Sequence, residues 1–168
     1  MSTLRFNTWQ NTGGTEVTSS SSLPAGVIAY TSLTNGTGYS AGTAITIATL
    51  SATIVPGKNY LMYGRICCQS SSANNASKAL YVEASGMTTL TLAYYTIASG
   101  TNLPFYLNGY GMKSATEIGV TSGSGTSVTF TLKFLDSGNN GGLSTNPDAA
   151  VGANSFPQQF WIEEVGPT

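Results

Sequence analysis

Side chains that could do acid, base or nucleophilic chemistry are few in this chain. Glu163 and Glu164 are the only adjacent carboxylates, and they lie in a segment with the pattern of a strand. Because successive strand residues point to opposite faces, these two carboxylates cannot serve one substrate as acid and base. Serine is abundant, but the chain contains no histidine to act as its base, and no lysine motif replaces one. The sequence therefore predicts no catalytic residues and a protein that is not an enzyme.

Two other groups of residues could hold a metal or react as thiols. The segment from Asp136 to Gly141 has Asp and Gly at the first and sixth positions of a calcium loop, but Pro147 replaces the final Glu. A flexible turn explains this segment better. Cys67 and Cys68 are adjacent in an expected strand and point to opposite faces, which indicates two buried thiols rather than a disulfide. The sequence predicts no metal site and no cofactor.

Aromatic residues could form a sugar-stacking surface on a β-domain. Aromatic side chains are also the usual core and interface residues of such domains, and no polar cluster in the sequence obviously accompanies them. A lectin-like surface therefore stays open as an alternative to a packing role. The candidates are Tyr94, Tyr95, Phe105, Tyr106, Tyr110 and Trp161.

Composition narrows the possible partners. Only 8% of the 168 residues are charged, and Gly, Ser, Thr, Asn and nine tyrosines are prominent. Such a surface can be buried against protein without removing charged groups from water. The net charge of -1, with scattered Lys and Arg, argues against nucleic acid. The chain has no basic start followed by an apolar run, and no run is long enough to cross a bilayer, so we expect no secretion signal and no membrane partner.

The strands that must position these residues are defined by period-two patterns. In Ser127 to Leu135, Val128, Phe130, Leu132 and Phe134 alternate with polar residues, which indicates a half-buried strand. Its apolar face needs a second sheet or a partner chain. Asn59 to Cys68 is apolar on both faces apart from Arg65, as expected of a central strand that is covered on both sides or faces a neighbouring subunit.

Further strands are expected throughout the chain. In Ala44 to Ile54 the apolar phase changes, which a bulge or burial on both faces would explain. Pro56-Gly57 predicts a type II turn, and Asn108-Gly109 predicts a hairpin. Eight to ten strands without an amphipathic helix predict an all-β fold, either an antiparallel β-sandwich or a jelly roll. The other expected strands are Gly26 to Leu33, Ala79 to Ala84, Thr88 to Ile97, Leu103 to Leu107, Tyr110 to Met112, Ala115 to Val120 and Gln159 to Val165.

The domain organisation expected from the sequence is one body preceded by an arm. Residues 1-22 form an extended N-terminal arm with the anchors Leu4, Phe6 and Trp9 and a Ser-rich spacer, and residues 23-168 form a single β-sandwich domain. Alternatively, the arm is the first strand of the sandwich. The Gly/Asn/Ala-rich stretch from Asp136 to Pro157 predicts a long loop.

The two ends of the chain resemble those of known viral proteins. The opening FNTWQNTGGTEV (Phe6 to Val17) and the ending FWIEEVGPT (Phe160 to Thr168) are similar to the ends of small β-rich virion proteins of tailed bacteriophages. These include capsid decoration (cement) proteins, head-fibre proteins and related tail proteins. Their last strand has the form apolar-Glu-acidic-apolar-Gly-Pro, and here residues 162-167 match it.

This resemblance implies a non-enzymatic structural protein on the virion, assembled in the host cytoplasm and located on the capsid surface. It implies a homotrimer that contacts the major capsid protein or other virion subunits. We expect Leu4, Phe6 and Trp9 to anchor the arm to a capsid or tail subunit, and Trp161 to be an interface residue. The body would trimerise through one largely uncharged sheet face. A tail or fibre component and a carbohydrate-binding β-sandwich are the alternatives.

Overall fold

The computed structural model describes residues 26-33, 38-70, 76-97, 104-138, 141-143 and 158-167. Within these ranges the protein consists of ten strands and has no helix. The predicted arm, with Leu4, Phe6 and Trp9, lies outside the described residues. The strands are β1 (Val27–Leu33), β2 (Gly38–Tyr39), β3 (Ile45–Ile54), β4 (Lys58–Ser70), β5 (Ala76–Ala84), β6 (Leu90–Ile97), β7 (Pro104–Ser114), β8 (Thr126–Asp136), β9 (Gly141–Leu143) and β10 (Gln158–Pro167).

The strands form two antiparallel sheets, which confirms the predicted all-β sandwich. The larger sheet has the order β1-β10-β4-β7, and short β9 and β2 extend it beyond β4. The smaller sheet has the order β3-β8-β5-β6. When the eight long strands are numbered along the chain, the sheets read first-eighth-third-sixth and second-seventh-fourth-fifth. This nested order is that of a jelly roll.

The core lies between the inner faces of the two sheets. In β8 the side chains of Val128, Phe130, Leu132 and Phe134 are buried, as their alternation predicts. They meet residues such as Met62 of β4 in one cluster. Strand β4 has neighbours on both sides, β7 on one and β10 and β9 on the other, which confirms the prediction of a central strand.

Two local irregularities follow the sequence prediction. The pairing of β3 with β8 shifts between Thr46 and Ala48, so a bulge accounts for the phase change in this segment. The predicted turn at Pro56-Gly57 is present, and Gly57 has a φ of 75°, a conformation that favours glycine.

The hairpin predicted at Asn108-Gly109 is wrong. Both residues lie inside the continuous strand β7, and Gly109 is not in the left-handed region that such a turn requires. Gly109 instead faces the smaller sheet, where a Cβ would overlap the carbonyl oxygen of Leu92. This glycine serves close packing of β7 against β6.

The strand predicted from Ala115 to Val120 is also wrong, because residues 115-119 form turns. The Glu117 carboxylate accepts hydrogen bonds from the backbone N–H and the hydroxyl group of Ser114, both at 2.9 Å. This carboxylate holds the chain in a turn after β7. The predicted loop from Asp136 to Pro157 contains the short strand β9, and its residues 139-140 and 144-157 lie outside the described part of the chain.

Candidate binding face

Four aromatic residues form a row across the larger sheet. Tyr110 of β7 pairs with Tyr63 of β4, Tyr63 pairs with Trp161 of β10, and Trp161 pairs with Tyr30 of β1. Directly opposite residues of an antiparallel pair point to the same face. The four side chains therefore lie side by side on one face of four neighbouring strands.

This face is the outer one. Along β4 the side chains of Tyr60, Met62 and Ile66 are fully buried in the core, whereas Tyr63 is partly exposed. The same alternation places Phe160 and Ile162 of β10 inside and Trp161 outside. The pattern apolar-in, aromatic-out is set by the two-residue period of each strand.

Two further rows flank the aromatic row. On one side Met112 pairs with Leu61, and Leu61 pairs with Glu163. On the other side Asn108 pairs with Arg65, and Arg65 pairs with Gln159. We call these three rows on the outer side of the larger sheet the aromatic face. It combines an aromatic centre, an apolar flank and a polar flank.

The central rings of the aromatic face contact each other. Tyr63 and Trp161 are stacked, with ring centroids 3.9 Å apart and an interplanar angle of 20°. One face of each ring is therefore covered by the other ring. The outer members are more open, since Tyr110 is 71% exposed and Tyr30 is 41% exposed. Gln159 Nε2 donates a hydrogen bond of 3.5 Å to the Tyr30 hydroxyl group.

The aromatic face continues past its polar flank to Tyr106, which pairs with Cys67. Cys67 is buried although it points outward, and this burial raises the pKa of its thiol to about 11, while a hydrogen bond with Tyr106 acts in the opposite direction. Cys68, on the inner side of β4, also has its pKa raised by burial. Both thiols are free, as the sequence predicts, and at neutral pH they are protonated.

The outer face of the smaller sheet has a different chemistry. There Thr49, Ser51 and Thr53 of β3 pair with hydroxyl-bearing residues of β8, and the Ser51 and Thr129 hydroxyl oxygens are 3.1 Å apart. Aromatic residues are favoured in strands generally, so strand propensity alone would place them on both outer faces. The smaller sheet also carries exposed or partly exposed tyrosines, but Tyr94 pairs with Ala79, and Tyr81 pairs with Thr91 and Lys133, so they form no aromatic row. The alignment of four aromatic residues in one row distinguishes the larger sheet.

The sequence identified part of this surface. Trp161, predicted as an interface residue, lies in the aromatic row together with Tyr110, and Tyr106 lies nearby on the same face. Tyr94 instead belongs to the smaller sheet, where it pairs with Ala79. Tyr30 and Tyr63 were not singled out from the sequence. The alternation in NYLMYGRICC could have indicated Tyr63, but only the strand register places it beside Trp161.

The remaining candidates do not form a second site. Glu163 and Glu164 are on opposite faces: Glu163 pairs with Leu61, whereas Glu164 forms an ion pair of 2.8 Å with Lys58. The described residues contain no group of three His, Cys, Asp or Glu side chains that could hold a metal ion. In the same part of the chain, no helix is long and apolar enough to cross a membrane.

No family model matches this chain, and no curated protein matches it. Among solved structures, infectious bursal disease virus (Gt strain) matches with 13% identity and a TM-score of 0.39 over 80% of this chain and 31% of the viral chain. The subviral particle of VP2 from the same virus matches with 16% identity and a TM-score of 0.32, over 86% of this chain and 36% of that chain.

A third match is the CBM22-1 xylan-binding domain from Paenibacillus barcinonensis Xyn10C. It has 13% identity and a TM-score of 0.39, over 88% of this chain and all of that domain. At such low identities and TM-scores, these matches carry no argument about the function of this chain.

Proposed function

We propose that this protein is a non-enzymatic structural protein of a tailed-bacteriophage virion, which decorates or cements the capsid through protein–protein contacts. The observation that supports a binding role is the aromatic row Tyr110-Tyr63-Trp161-Tyr30, aligned in register on an outer sheet face. Aligned rings on a solvent-facing sheet contribute nothing to the core. They can be buried by contact with a partner protein.

The residue types of the aromatic face match those of protein interfaces. Tyr, Trp, Met and Arg are enriched at interface centres, whereas Lys and Asp are depleted. The three rows contain Arg65 and Glu163 as their charged residues, one on each side of the aromatic centre. Burying this surface against protein therefore removes few charged groups from water.

The stacking of Tyr63 on Trp161 favours a protein partner over a sugar. A sugar ring stacks on an open aromatic ring face, and each of these central rings already has one face covered at a centroid distance of 3.9 Å. The stacked pair presents an apolar ridge with polar tips. A ridge of this kind fits a groove between side chains of another protein.

The assignment to a phage particle rests on the resemblance of the two chain ends. The C-terminal segment of that resemblance forms β10, which supplies Trp161 to the aromatic face and Phe160 and Ile162 to the core. In the proposed arrangement, three copies associate through the aromatic face. Leu4 and Phe6 of the arm, together with Trp9, bind the major capsid protein or another virion subunit. Assembly takes place in the host cytoplasm and the protein remains on the capsid surface.

Light scattering on the purified protein tests the trimer. We expect a mass of three chains, and we expect Tyr110→Ala to weaken association roughly thirtyfold, the equivalent of about 2 kcal/mol for an interface anchor. Tyr94→Ala is the matched control, because Tyr94 is 65% exposed but lies on the smaller sheet. A monomeric wild-type protein, or an equal effect of both substitutions, would contradict the proposed interface.

Co-sedimentation with capsids that lack the protein tests attachment to the particle. The full chain should pellet at a fixed ratio set by capsid symmetry, and deletion of residues 2-17 should abolish pelleting while the body stays folded and trimeric. Repeated equivalent contacts on a symmetric shell make modest individual affinities effective. Unchanged pelleting of the deletion variant would show that the arm is not the anchor.

A carbohydrate-binding module, alone or on a tail fibre, is the second candidate. The observation that favours it is the polar flank, where Asn108, Arg65 and Gln159 place amide and guanidinium groups beside the aromatic row. Such groups can hydrogen bond to sugar hydroxyl groups. Retention of the wild-type body on a glycan array, lost in Gln159→Ala and in Asn108→Ala, would support this function over the first.

A further inference from the structure

A buried ion pair joins the two inner strands of the smaller sheet. Lys78 of β5 and Asp136 of β8 are directly opposite each other, and Lys78 Nζ lies 2.5 Å from Asp136 Oδ2. The side chains are 1% and 0% exposed, respectively. They are the buried charged residues of the described part of the chain. The pair plays no part in the aromatic face.

The other ion pairs of the described residues differ from this one by their contact with water. Lys133 and Glu83 lie 2.6 Å apart with side chains 29% and 40% exposed. Lys58 and Glu164 lie 2.8 Å apart with side chains 36% and 31% exposed. Hydration stabilises the separate ions in those pairs, whereas Lys78 and Asp136 have lost it.

We propose that Lys78 and Asp136 condense into an intramolecular amide, an isopeptide bond between β5 and β8. In the buried pair, the ammonium group transfers a proton to the carboxylate, which gives a neutral amine and a neutral acid. The lone pair of Nζ then attacks the carboxyl carbon Cγ. The bond between Cγ and the protonated oxygen breaks, and this oxygen leaves as water with the acid proton and one proton from Nζ. The amide nitrogen keeps one hydrogen, and the net charge is unchanged.

The geometry around Asp136 supports this reaction. Because Oδ2 is bonded to Cγ, the 2.5 Å contact between Nζ and Oδ2 also brings Nζ close to Cγ, the atom that it would attack. The other carboxyl oxygen, Oδ1, accepts a hydrogen bond of 3.2 Å from the backbone N–H of Gly138. This donor is aimed at the oxygen that becomes negatively charged when the amine adds to Cγ.

The surroundings hold both groups in place. The Ser137 N–H donates to the Ser77 carbonyl oxygen, and the Ser77 N–H donates to the Ser137 hydroxyl group, both at 2.9 Å. These two residues are the immediate neighbours of the reacting pair. The Gly42 N–H donates to the Asp136 carbonyl oxygen at 2.7 Å. Exclusion of water from the site disfavours the reverse reaction, hydrolysis of the amide.

The bond would link two strands of the smaller sheet through residues that are 58 positions apart in the sequence, and so close a covalent loop. A cross-link of this length restricts the unfolded chain and stabilises the folded protein by the same principle as a disulfide. Unlike a disulfide, it does not depend on redox conditions. The proposal stands independently of the proposed function, since it concerns the core of the isolated chain.

The intact mass of the wild-type protein, measured under denaturing conditions, tests the proposal without any variant. We expect a mass lower than the sequence mass by one water molecule. After proteolysis, we expect the peptide containing Lys78 to be joined to the peptide containing Asp136. Peptides with Lys133, Glu83, Lys58 and Glu164 are the matched controls and should be linear, because those ion pairs are hydrated.

Two results would overturn the proposal. One is the full sequence mass with linear peptides for both residues, which leaves an ordinary buried ion pair. The other is a loss of water confined to a single peptide, which indicates cyclisation within that peptide. Lys78→Arg provides a further check: if this variant folds, its mass should equal its sequence mass and its resistance to heat should fall.

Discussion

Tyr60 shows how one buried hydroxyl group holds a turn. Its side chain is fully buried, and its oxygen accepts a hydrogen bond of 2.7 Å from the backbone N–H of Val55, next to the Pro56-Gly57 turn. We predict that Tyr60→Phe lowers the free energy of unfolding by about 1–3 kcal/mol, because the Val55 N–H loses its partner without a cavity forming. Denaturant unfolding measures the loss. Tyr95→Phe, at a position that is 56% exposed and outside the aromatic face, is the control and should have no effect on unfolding.

The stabilising contribution of Glu117 depends on pH. Hydrogen bonds from Ser114, together with Lys113, lower the pKa of this carboxyl group from 4.5 to about 2. A lowered pKa means that the stabilisation is complete above pH 4.5 and disappears as the pH falls through about 2. We therefore predict that Glu117→Gln unfolds at lower urea concentration than wild type at neutral pH. The difference should shrink between these two pH values, and a constant difference would contradict the assignment.

At the scale of elements, strand β7 depends on two inward-facing glycines. A Cβ at Gly109 would overlap the backbone of Leu92, whereas a Cβ at Gly111 would meet only the side chain of Leu90. Backbone cannot move aside as a side chain can. We predict that Gly109→Ala destabilises the protein by about 3 kcal/mol or more, and that Gly111→Ala costs about 1 kcal/mol. Thermal unfolding of both variants is the measurement, and equal losses would disprove the close approach of β6 to β7.

Local patterns in the sequence predict some of these elements correctly, whereas packing between strands decides others. The alternation in β8 and the turn at Gly57 are local patterns, and both were predicted correctly. Asn108-Gly109 is an equally local hairpin signal, but packing against Leu92 overrides it. The aromatic row could not be predicted, because its members come from four strands whose register is fixed by the whole sheet. Only Trp161 and Tyr110 were recognised in advance, as separate residues rather than as neighbours.

For the whole molecule, the jelly roll places an aligned aromatic row on the outer face of the larger sheet, whereas the smaller sheet carries hydroxyl-bearing residues and separate tyrosines. If three copies bury the aromatic face, folding and association are coupled, and the stability of the protein depends on its concentration. We predict that the midpoint of thermal unfolding rises with protein concentration for wild type and for Tyr94→Ala. For Tyr110→Ala it should be nearly independent of concentration over the range in which that variant is a monomer.

This prediction separates assembly from the internal cross-link. An isopeptide bond between Lys78 and Asp136 raises the unfolding midpoint of every chain by the same amount, whatever the concentration, because it acts within one molecule. Association adds a stabilisation that grows with the logarithm of concentration. Scanning calorimetry over a roughly hundredfold range of protein concentration resolves the two contributions. A midpoint independent of concentration in the wild-type protein would contradict association through the aromatic face and leave the cross-link unaffected.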